Sequence, residues 1–326
     1  MDIELHSKLY GRKKALWIGL LRRAGLEPDL KTDSTVLIWE SETLIAAGSR
    51  SNNLLKCIAV DEAFQGMDLT ATLLTHLRQD AFEAGFKHLF LYTKPKNLLQ
   101  FSSLFFYPVA QTQDVLLMEN KPNGIRHFLD SLPVSHRNGN IGGLVMNCNP
   151  FTLGHRYLIE TAAKECDWVY VFVLSEEQPP FPAADRLMLV REGTKYLPNV
   201  TVLPTGPYLL SAATFPTYFL PDRESAGQVQ CLLDIAVFEK YYLPKFGITV
   251  RYVGSEPLSP MTAQYNDALR DNLTIPLREI LRQESDAQPI SASKVRELMA
   301  QSQWENIRNF VPPTTYEYLI QRSKEF

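Results

Sequence analysis

One short segment, residues 141–156, constrains the fold of this chain more than any other. It reads Ile-Gly-Gly-Leu-Val-Met-Asn-Cys-Asn-Pro-Phe-Thr-Leu-Gly-His-Arg. The apolar run is too short for a helix and is bounded by turn-forming residues, so it predicts a buried strand. Thr152 can cap the helix that follows, in which Leu158, Ala162 and Cys166 recur at four-residue spacing. A strand, a turn and a helix N-terminus in this order predict an anion site, because unpaired amides and the helix dipole favour negative charge there.

Two residues in the first turn of this helix refine the prediction. Gly154 removes a side chain where backbone and phosphate must approach closely, and His155 supplies a donor. The pattern T-x-G-H resembles the (H/T)-x-G-H signature of the nucleotidylyltransferase superfamily, whose members attack the α-phosphate of a nucleoside triphosphate and release pyrophosphate. A second signature of that superfamily, I-S-x-[ST]-x-V-R, is matched at residues 290–296. Two matches in the expected order are hard to obtain by chance.

Composition and charge limit the classes of function. The 326 residues are 45% hydrophobic and 21% charged, which is ordinary for a globular chain long enough for two domains. A net charge of -3 gives no general affinity for polyanions, so nucleic acid is not an expected partner. No apolar stretch is long enough to span a bilayer and no secretory signal is visible, so we expect no membrane association. Cys57, Cys148, Cys166 and Cys231 form no C-x-x-C pair, which favours free thiols in a reducing cytoplasm.

Strands and helices alternate in the second half of the chain. The predicted strands are 142–147, 168–174, 199–203, 248–253 and 276–280, and the predicted helices are 153–166, 184–196, 229–242, 261–271 and 292–302. This alternation predicts a parallel sheet covered on both faces. Ligands of such sheets bind beyond the carboxyl ends of the strands, where the two signatures would meet. A polar stretch ends near residue 140, so we divide the chain into domains of 1–140 and 141–326.

The first half of the chain shows a different order. Strands are predicted at 35–39, 44–48 and 56–60, then a helix that Gln65-Gly66-Met67-Asp68 opens, and then a strand at 88–93. This order resembles the central part of GNAT-type N-acetyltransferases, where a Q-x-x-G-x-G or Q-G-x-G turn presents amides to the pyrophosphate of coenzyme A. Asp68 stands where a glycine is usual. The resemblance therefore implies the fold more than the catalytic residues.

The two halves in this order resemble the [citrate (pro-3S)-lyase] ligase family. The matching blocks are V-M-N-x-N-P-F-T-L-G-H-R-Y-L at 145–158, S-x-A-T-F-P-x-Y-F at 211–219, R-Y-V-G-S-E-P at 251–257 and I-S-A-S-x-V-R at 290–296. The resemblance implies an α/β chain, with a GNAT-like α/β domain followed by a Rossmann-like parallel-sheet nucleotidylyltransferase domain.

The same resemblance implies an activity and its partners. Members of the family activate acetate with ATP, release AMP and diphosphate, and acetylate a thiol of the citrate lyase acyl carrier protein, the γ subunit. That thiol belongs to a phosphoribosyl dephospho-coenzyme A arm, and its acetylation activates citrate lyase. Mg²⁺ is expected with the ATP, held mainly by phosphates and water.

Attack on the α-phosphorus requires fixed donors, because negative charge grows on the phosphate oxygens. We assign His155 to the α and β oxygens and Arg296 to the leaving pyrophosphate, as the two catalytic residues. The residues expected to bind ATP are Asn147, Thr152, Gly154, His155, Gly254, Ser291, Ser293, Lys294 and Arg296.

Each of the other candidate site residues has two possible interpretations. Ser211, Thr214 and Tyr218 are candidates for an acyl or adenylate pocket, although the aromatic residues of this block suit a core equally well. Gln65 and Gly66 are candidates for docking the carrier arm, or a remnant of the acetyltransferase scaffold. Arg251 and Glu256 suit either a structural ion pair or a position near the ligand.

Two other functions stay open at this point. One is an adenylyltransferase that moves AMP onto a phosphopantetheine-like acceptor and makes no thioester. The other is a non-catalytic module that docks the carrier and senses nucleotide. Pyrophosphate release that requires acetate favours the ligase, release that requires only the acceptor favours the adenylyltransferase, and ATP binding without turnover favours the sensor.

Overall fold

The computed structural model describes residues 1–209, 215–220, 226–255, 260–281, 284–285 and 288–323, with the backbone alone at 260–263, 284–285 and 288–289. The chain forms two compact units. Unit 1 comprises Met1–Gly124 and Phe215–Val229, and unit 2 comprises Ile125–Thr214 and Gln230–Phe326. A segment from the second half of the sequence thus groups with the N-terminal residues. The domain boundary near residue 140 stays a prediction.

Unit 1 contains a mixed sheet with the strand order β1-β2-β3-β4-β5-β7-β6. Its strands are β1 (Asp2–His6), β2 (Ser34–Glu40), β3 (Thr43–Ser51), β4 (Leu54–Val60), β5 (Phe90–Thr93), β6 (Tyr107–Gln111) and β7 (Leu116–Glu119). Neighbouring strands are antiparallel except β4 and β5, which pair in parallel at Leu54↔Phe90 and Leu55↔Leu91. The later residues of β4 and β5 line a cavity instead.

Helices α1 (Gly11–Arg23), α2 (Leu69–Glu83) and α3 (Leu98–Ser102) accompany this sheet. One face of α2 is apolar and packs in the core, since Leu69, Leu73, Leu77 and Ala81 are all buried. Burial of each leucine stabilises the fold by roughly 1.5–3 kcal/mol. Gly48 in β3 allows this close packing, because a Cβ there would lie 2.9 Å from Leu77 Cδ1.

Unit 2 contains a parallel sheet with the strand order β10-β9-β8-β11-β12. These strands are β8 (Ile141–Met146), β9 (Trp168–Val173), β10 (Val200–Pro204), β11 (Val250–Gly254) and β12 (Leu277–Ile280), and β13 (Glu284–Ser285) pairs with β14 (Gln288–Pro289). Each strand predicted for the second half is found to within two residues. The order reverses between β8 and β11, where sheets of this type bind their ligands.

Helices α4 to α12 make up most of the remaining regular structure. They are α4 (Gly124–Asp130), α5 (Leu153–Glu165), α6 (Ala183–Thr194), α7 (Ala226–Val237), α8 (Leu243–Phe246), α9 (Pro260–Asn272), α10 (Ala292–Ala300), α11 (Trp304–Ile307) and α12 (Pro313–Ser323), with a π-helical turn at Phe238–Tyr242.

The predicted α/β fold class is confirmed, with a mixed sheet in unit 1 and a parallel, Rossmann-like sheet in unit 2. No helix in the described part of the chain is long and apolar enough to cross a bilayer. Cys57, Cys148, Cys166 and Cys231 are buried free thiols. Burial raises the pKa of the Cys57 thiol to about 12, so this thiol is protonated at neutral pH.

Candidate active site

Both sequence signatures of unit 2 line one cavity of about 570 Å³ at the carboxyl ends of β8 and β11. The turn after β8 and the first turns of α5 and α10 form its walls. The predicted ATP-binding residues that line it are Asn147, Thr152, Gly154, His155, Gly254, Ser291, Ser293 and Arg296. Residues that are distant in sequence therefore meet around one space large enough for a nucleotide.

Thr152 and His155 cap α5 reciprocally. The Thr152 hydroxyl accepts a hydrogen bond from the His155 amide at 3.3 Å, and the Thr152 amide donates to His155 Nδ1 at 3.1 Å. Because a backbone amide only donates, Nδ1 must be an acceptor, and the neutral imidazole therefore carries its proton on Nε2. The helix cap thus selects the tautomer in which Nε2 of His155 is a hydrogen-bond donor.

Gly154 allows the first turn of α5 to meet the second signature. A Cβ on Gly154 would lie 3.1 Å from the Ile290 carbonyl oxygen and 3.6 Å from Ile290 Cβ. A side chain at this position would therefore push α5 away from the segment that begins α10. With glycine, the N-termini of both helices border the cavity, and each adds positive potential there.

Arg296 connects the second signature to the turn after β8. Its Nη1 donates to the Asn149 carbonyl oxygen at 2.5 Å, and its Nη2 donates to Ser293 Oγ at 3.0 Å. Burial lowers the pKa of the guanidinium, but arginine stays charged at neutral pH. The two hydrogen bonds fix the plane of a cationic group in the wall of the cavity.

Two residues of the second signature, Ser291 and Lys294, differ in whether they line the cavity. Ser291 caps α10, since its hydroxyl accepts from the Lys294 amide at 3.1 Å, and it lines the cavity. Lys294 is not among the lining residues, and its Nζ donates to the two carboxylate oxygens of Glu297 at 3.2 and 3.1 Å. The structure therefore brings Ser291 to the cavity and pairs Lys294 with a neighbour on the same helix.

The electrostatics of the cavity favour an anion. Arg251 and Arg296 are among its lining residues, and the described lining includes no aspartate or glutamate. Two helix N-termini add to this positive potential. Phosphate groups are anions that such a cavity suits.

Comparison with known proteins identifies the family. Residues 141–319 match the family model described as the citrate lyase ligase C-terminal domain. The [citrate [pro-3S]-lyase] ligase of Klebsiella pneumoniae is 38% identical over 310 residues, which cover 92% of this chain and 91% of that protein. The chain belongs to the citrate lyase ligase family. The Escherichia coli K12 ligase is 39% identical over 307 residues, with 90% and 87% covered, and the Haemophilus influenzae ligase is 36% identical over 290 residues, with 86% and 87% covered. The chain is therefore an enzyme of the ligase class, as its sequence predicts.

The enzyme contains a buried arginine, missed at the sequence level, that holds Asn147. The Arg186 side chain is fully buried, and its Nη1 donates to the backbone oxygen and to Oδ1 of Asn147, at 2.9 and 2.5 Å. Asn147 Nδ2 in turn donates to Gln178 Oε1 at 2.9 Å. Arg186 shares the buried face of α6 with Leu189 and Val190. This i, i+3, i+4 spacing is the sequence signal that could have identified it.

Unit 1 of the enzyme has a separate cavity of about 540 Å³, and Gln65, Gly66 and Tyr218 all line it. Tyr218 is buried and its Oη donates to the Tyr92 carbonyl oxygen at 2.5 Å. The sequence grouped Tyr218 with an acyl or adenylate pocket, whereas the structure groups it with the residues assigned to the carrier arm. Its partners in that assignment, Ser211 and Thr214, lie outside the described residues, and so does Glu256.

Proposed function

We propose that the enzyme activates acetate with ATP and acetylates the thiol of the citrate lyase acyl carrier protein. The observation that carries this proposal is that His155 and Arg296 line one cavity although they are far apart in the chain. Two helix N-termini, an imidazole donor and two arginines support a triphosphate as the ligand. The names of the relatives support citrate lyase as the protein whose activity depends on the reaction.

In the first step, an acetate oxygen attacks the α-phosphorus of ATP. The new O–P bond forms as the bond to the bridging oxygen breaks, and pyrophosphate leaves with the electron pair. Acetate is already ionised at neutral pH, so this step requires no base. His155 Nε2 donates to the α and β oxygens, and Arg296 binds the leaving pyrophosphate together with Ser291 and Ser293.

Mg²⁺, when bound, would neutralise part of the negative charge of the triphosphate. Within the described residues, no group of three His, Cys, Asp or Glu side chains could hold a metal ion. We expect phosphate oxygens and water to be the main ligands of Mg²⁺.

In the second step, the thiolate of the carrier arm attacks the carbonyl carbon of acetyl-adenylate. The C–S bond forms, the C–O bond to AMP breaks, and AMP leaves with the electron pair. The cavity of unit 1 is the site to which we assign the coenzyme A-like arm, because the turn at Gln65 and Gly66 opens towards it and Lys94 and Lys96 are also among its lining residues. Lysines and backbone amides are suitable donors for the phosphates of the arm.

Mass spectrometry of the carrier protein tests the whole reaction. After incubation with ATP, Mg²⁺ and acetate, the carrier should gain the mass of one acetyl group, and hydroxylamine should remove it. Gain of an AMP mass instead would support the adenylyltransferase, and an unchanged mass despite ATP binding would support the nucleotide sensor.

A glycine pair tests the assignment of the arm to unit 1. Gly66 has φ +91°, Gly85 has φ +88°, and a Cβ on either would meet nothing within 4 Å, but only Gly66 lines the cavity. The two Gly→Val variants therefore carry the same backbone strain. Gly66→Val should raise the KM for the carrier well beyond Gly85→Val, while acetate-dependent pyrophosphate release stays similar in both. Equal carrier kinetics in the two variants would reject this docking site.

A further inference from the structure

Arg251 is a buried cation whose hydrogen bonds the fold does not complete. It lies in β11 with 3% of its surface exposed, and its guanidinium carbon is 4.4 Å from the centroid of the Phe238 ring. Nε and Nη1 are buried and have no hydrogen-bond partner. Leaving a buried donor without a partner costs about 1–3 kcal/mol, and more when the group is charged. A buried donor without a partner calls for an explanation, and a role in binding is one such explanation.

The position of Arg251 connects two spaces in unit 2. It lines the cavity that contains His155 and Arg296, and it also lines a small inner cavity of about 10 Å³. Val145 and Tyr265 line both cavities as well, so the two spaces adjoin at these residues. The inner cavity has room for one small group.

The inner cavity is mainly apolar. Its other lining residues are Leu209, Asp234, Ile235, Phe238, Leu269 and Leu273. Asp234 accepts a hydrogen bond from Gln230 Nε2 at 2.6 Å. Burial lowers the pKa of Arg251, whereas Tyr265 and Asp234 act in the opposite direction, and arginine stays charged at neutral pH. A fixed cation beside an apolar space of this size matches a short carboxylic acid.

We propose that Arg251 binds the carboxylate of the acid substrate and that the alkyl group of the acid enters the inner cavity. This inference rests on the proposed function of the larger cavity, in which a carboxylate must be held beside the α-phosphate of ATP. The Arg251 guanidinium supplies charge-assisted hydrogen bonds, which are about twice as strong as neutral ones. The small apolar space favours acetate over longer acids, since one extra methylene changes selectivity by about 10- to 200-fold.

An NMR titration with ¹³C-labelled acetate tests whether Arg251 binds the carboxylate. A non-hydrolysable ATP analogue and Mg²⁺ are present throughout. Arg251→Met should weaken acetate binding by about ten- to a hundredfold, the effect of losing hydrogen bonds to a charged group. Arg78→Met in unit 1 is the matched control, because Arg78 also lies over a phenylalanine ring, Phe106, at 4.9 Å and also has a buried Nε without a partner. The control should bind acetate like the wild type.

Acetate that binds Arg251→Met as tightly as the wild type, or that does not bind the wild type, overturns the inference. The titration requires no turnover, so its result is separate from that of the carrier assay. If the carrier is acetylated but Arg251→Met binds acetate as tightly as the wild type, the proposed function stands and this inference fails. If Arg251→Met binds acetate more weakly but the carrier is not acetylated, the binding role of Arg251 stands and the proposed function fails.

A second variant covers the case in which Arg251→Met does not fold. Leu273→Ala changes a half-buried wall residue and enlarges the inner cavity. It should raise the affinity for propionate relative to acetate about tenfold or more. An unchanged ratio in this variant would show that the alkyl group does not enter the inner cavity.

Discussion

The reciprocal cap of α5 makes it possible to separate two roles of His155. Its Nδ1 accepts from the Thr152 amide, and Nε2 is the donor that the proposed chemistry uses. The variant His155→Asn can retain an acceptor for the Thr152 amide, but its side chain is too short to replace Nε2. The variant His155→Ala removes both functions.

The two variants should therefore differ in stability more than in activity. Loss of one donor to a developing oxyanion costs about 2.7–4 kcal/mol, or about a hundred- to a thousandfold in kcat, and both variants should show it. Loss of the hydrogen bond from the Thr152 amide to the side chain of residue 155 lowers the free energy of unfolding by about 0.5–1.5 kcal/mol. His155→Ala should therefore melt a few degrees below His155→Asn, at about 2–4 °C per kcal/mol for a domain of this size.

Acetate-dependent pyrophosphate release gives kcat, and circular dichroism gives the melting temperature. The reasoning is refuted if His155→Asn retains wild-type kcat, since Nε2 would then not be the catalytic donor. It is equally refuted if the asparagine and alanine variants have the same melting temperature, well below that of the wild type. The asparagine would then not accept the hydrogen bond from the Thr152 amide.

Three further changes test other parts of the molecule. Arg186→Met should raise the KM for ATP about tenfold, because both Asn147 oxygens lose their donor; unchanged binding of an ATP analogue to the folded variant would contradict this. Tyr218→Phe should lower the unfolding free energy by about 1–3 kcal/mol, because the Tyr92 carbonyl loses this hydrogen bond, and should leave pyrophosphate release intact; a large fall in that release would return Tyr218 to the adenylate pocket. Hydrogen bonds from Lys13 and His6 lower the pKa of Glu4 from 4.5 to about 2, so its ionisation stabilises the fold above pH 4.5 and this contribution is lost as pH falls towards 2. Glu4→Gln should therefore flatten acid unfolding between these pH values, and an unchanged acid-unfolding curve would show that Glu4 contributes nothing.

The sequence predicts most of unit 2 because local patterns and tertiary packing agree there. A buried parallel strand is a short apolar run, and an amphipathic helix repeats with the helical period, so β8 to β12 follow from apolar runs and turn signals. The first turns of α5 and α10 follow from their caps, Thr152 and Ser291. In unit 1, β2 to β5 and α2 follow for the same reasons, whereas the sequence patterns do not predict β1, β6, β7, α1 or α3.

Other features depend on contacts that no local pattern encodes. Tyr218 follows the T-x-G-H block in sequence but packs in unit 1, because its hydroxyl bonds to Tyr92 and its ring joins an aromatic core there. No local pattern shows that Arg251 is buried, and only the packed structure reveals it. The side chain of Lys294 is directed by an ion pair one helical turn away.

The positive potential of the larger cavity bears on both proposed chemical steps. In the proposed first step, pyrophosphate departure needs cations that hold the leaving group, and Arg296 with the two helix N-termini would supply them. The second step needs a thiolate, and no carboxylate in the described lining could remove the thiol proton. Nearby cations favour the charged form of a thiol and lower its pKa. In the proposed second step, the loss of pyrophosphate leaves the same cationic groups with less negative charge to balance, so they would favour an arriving thiolate whose proton has passed to water.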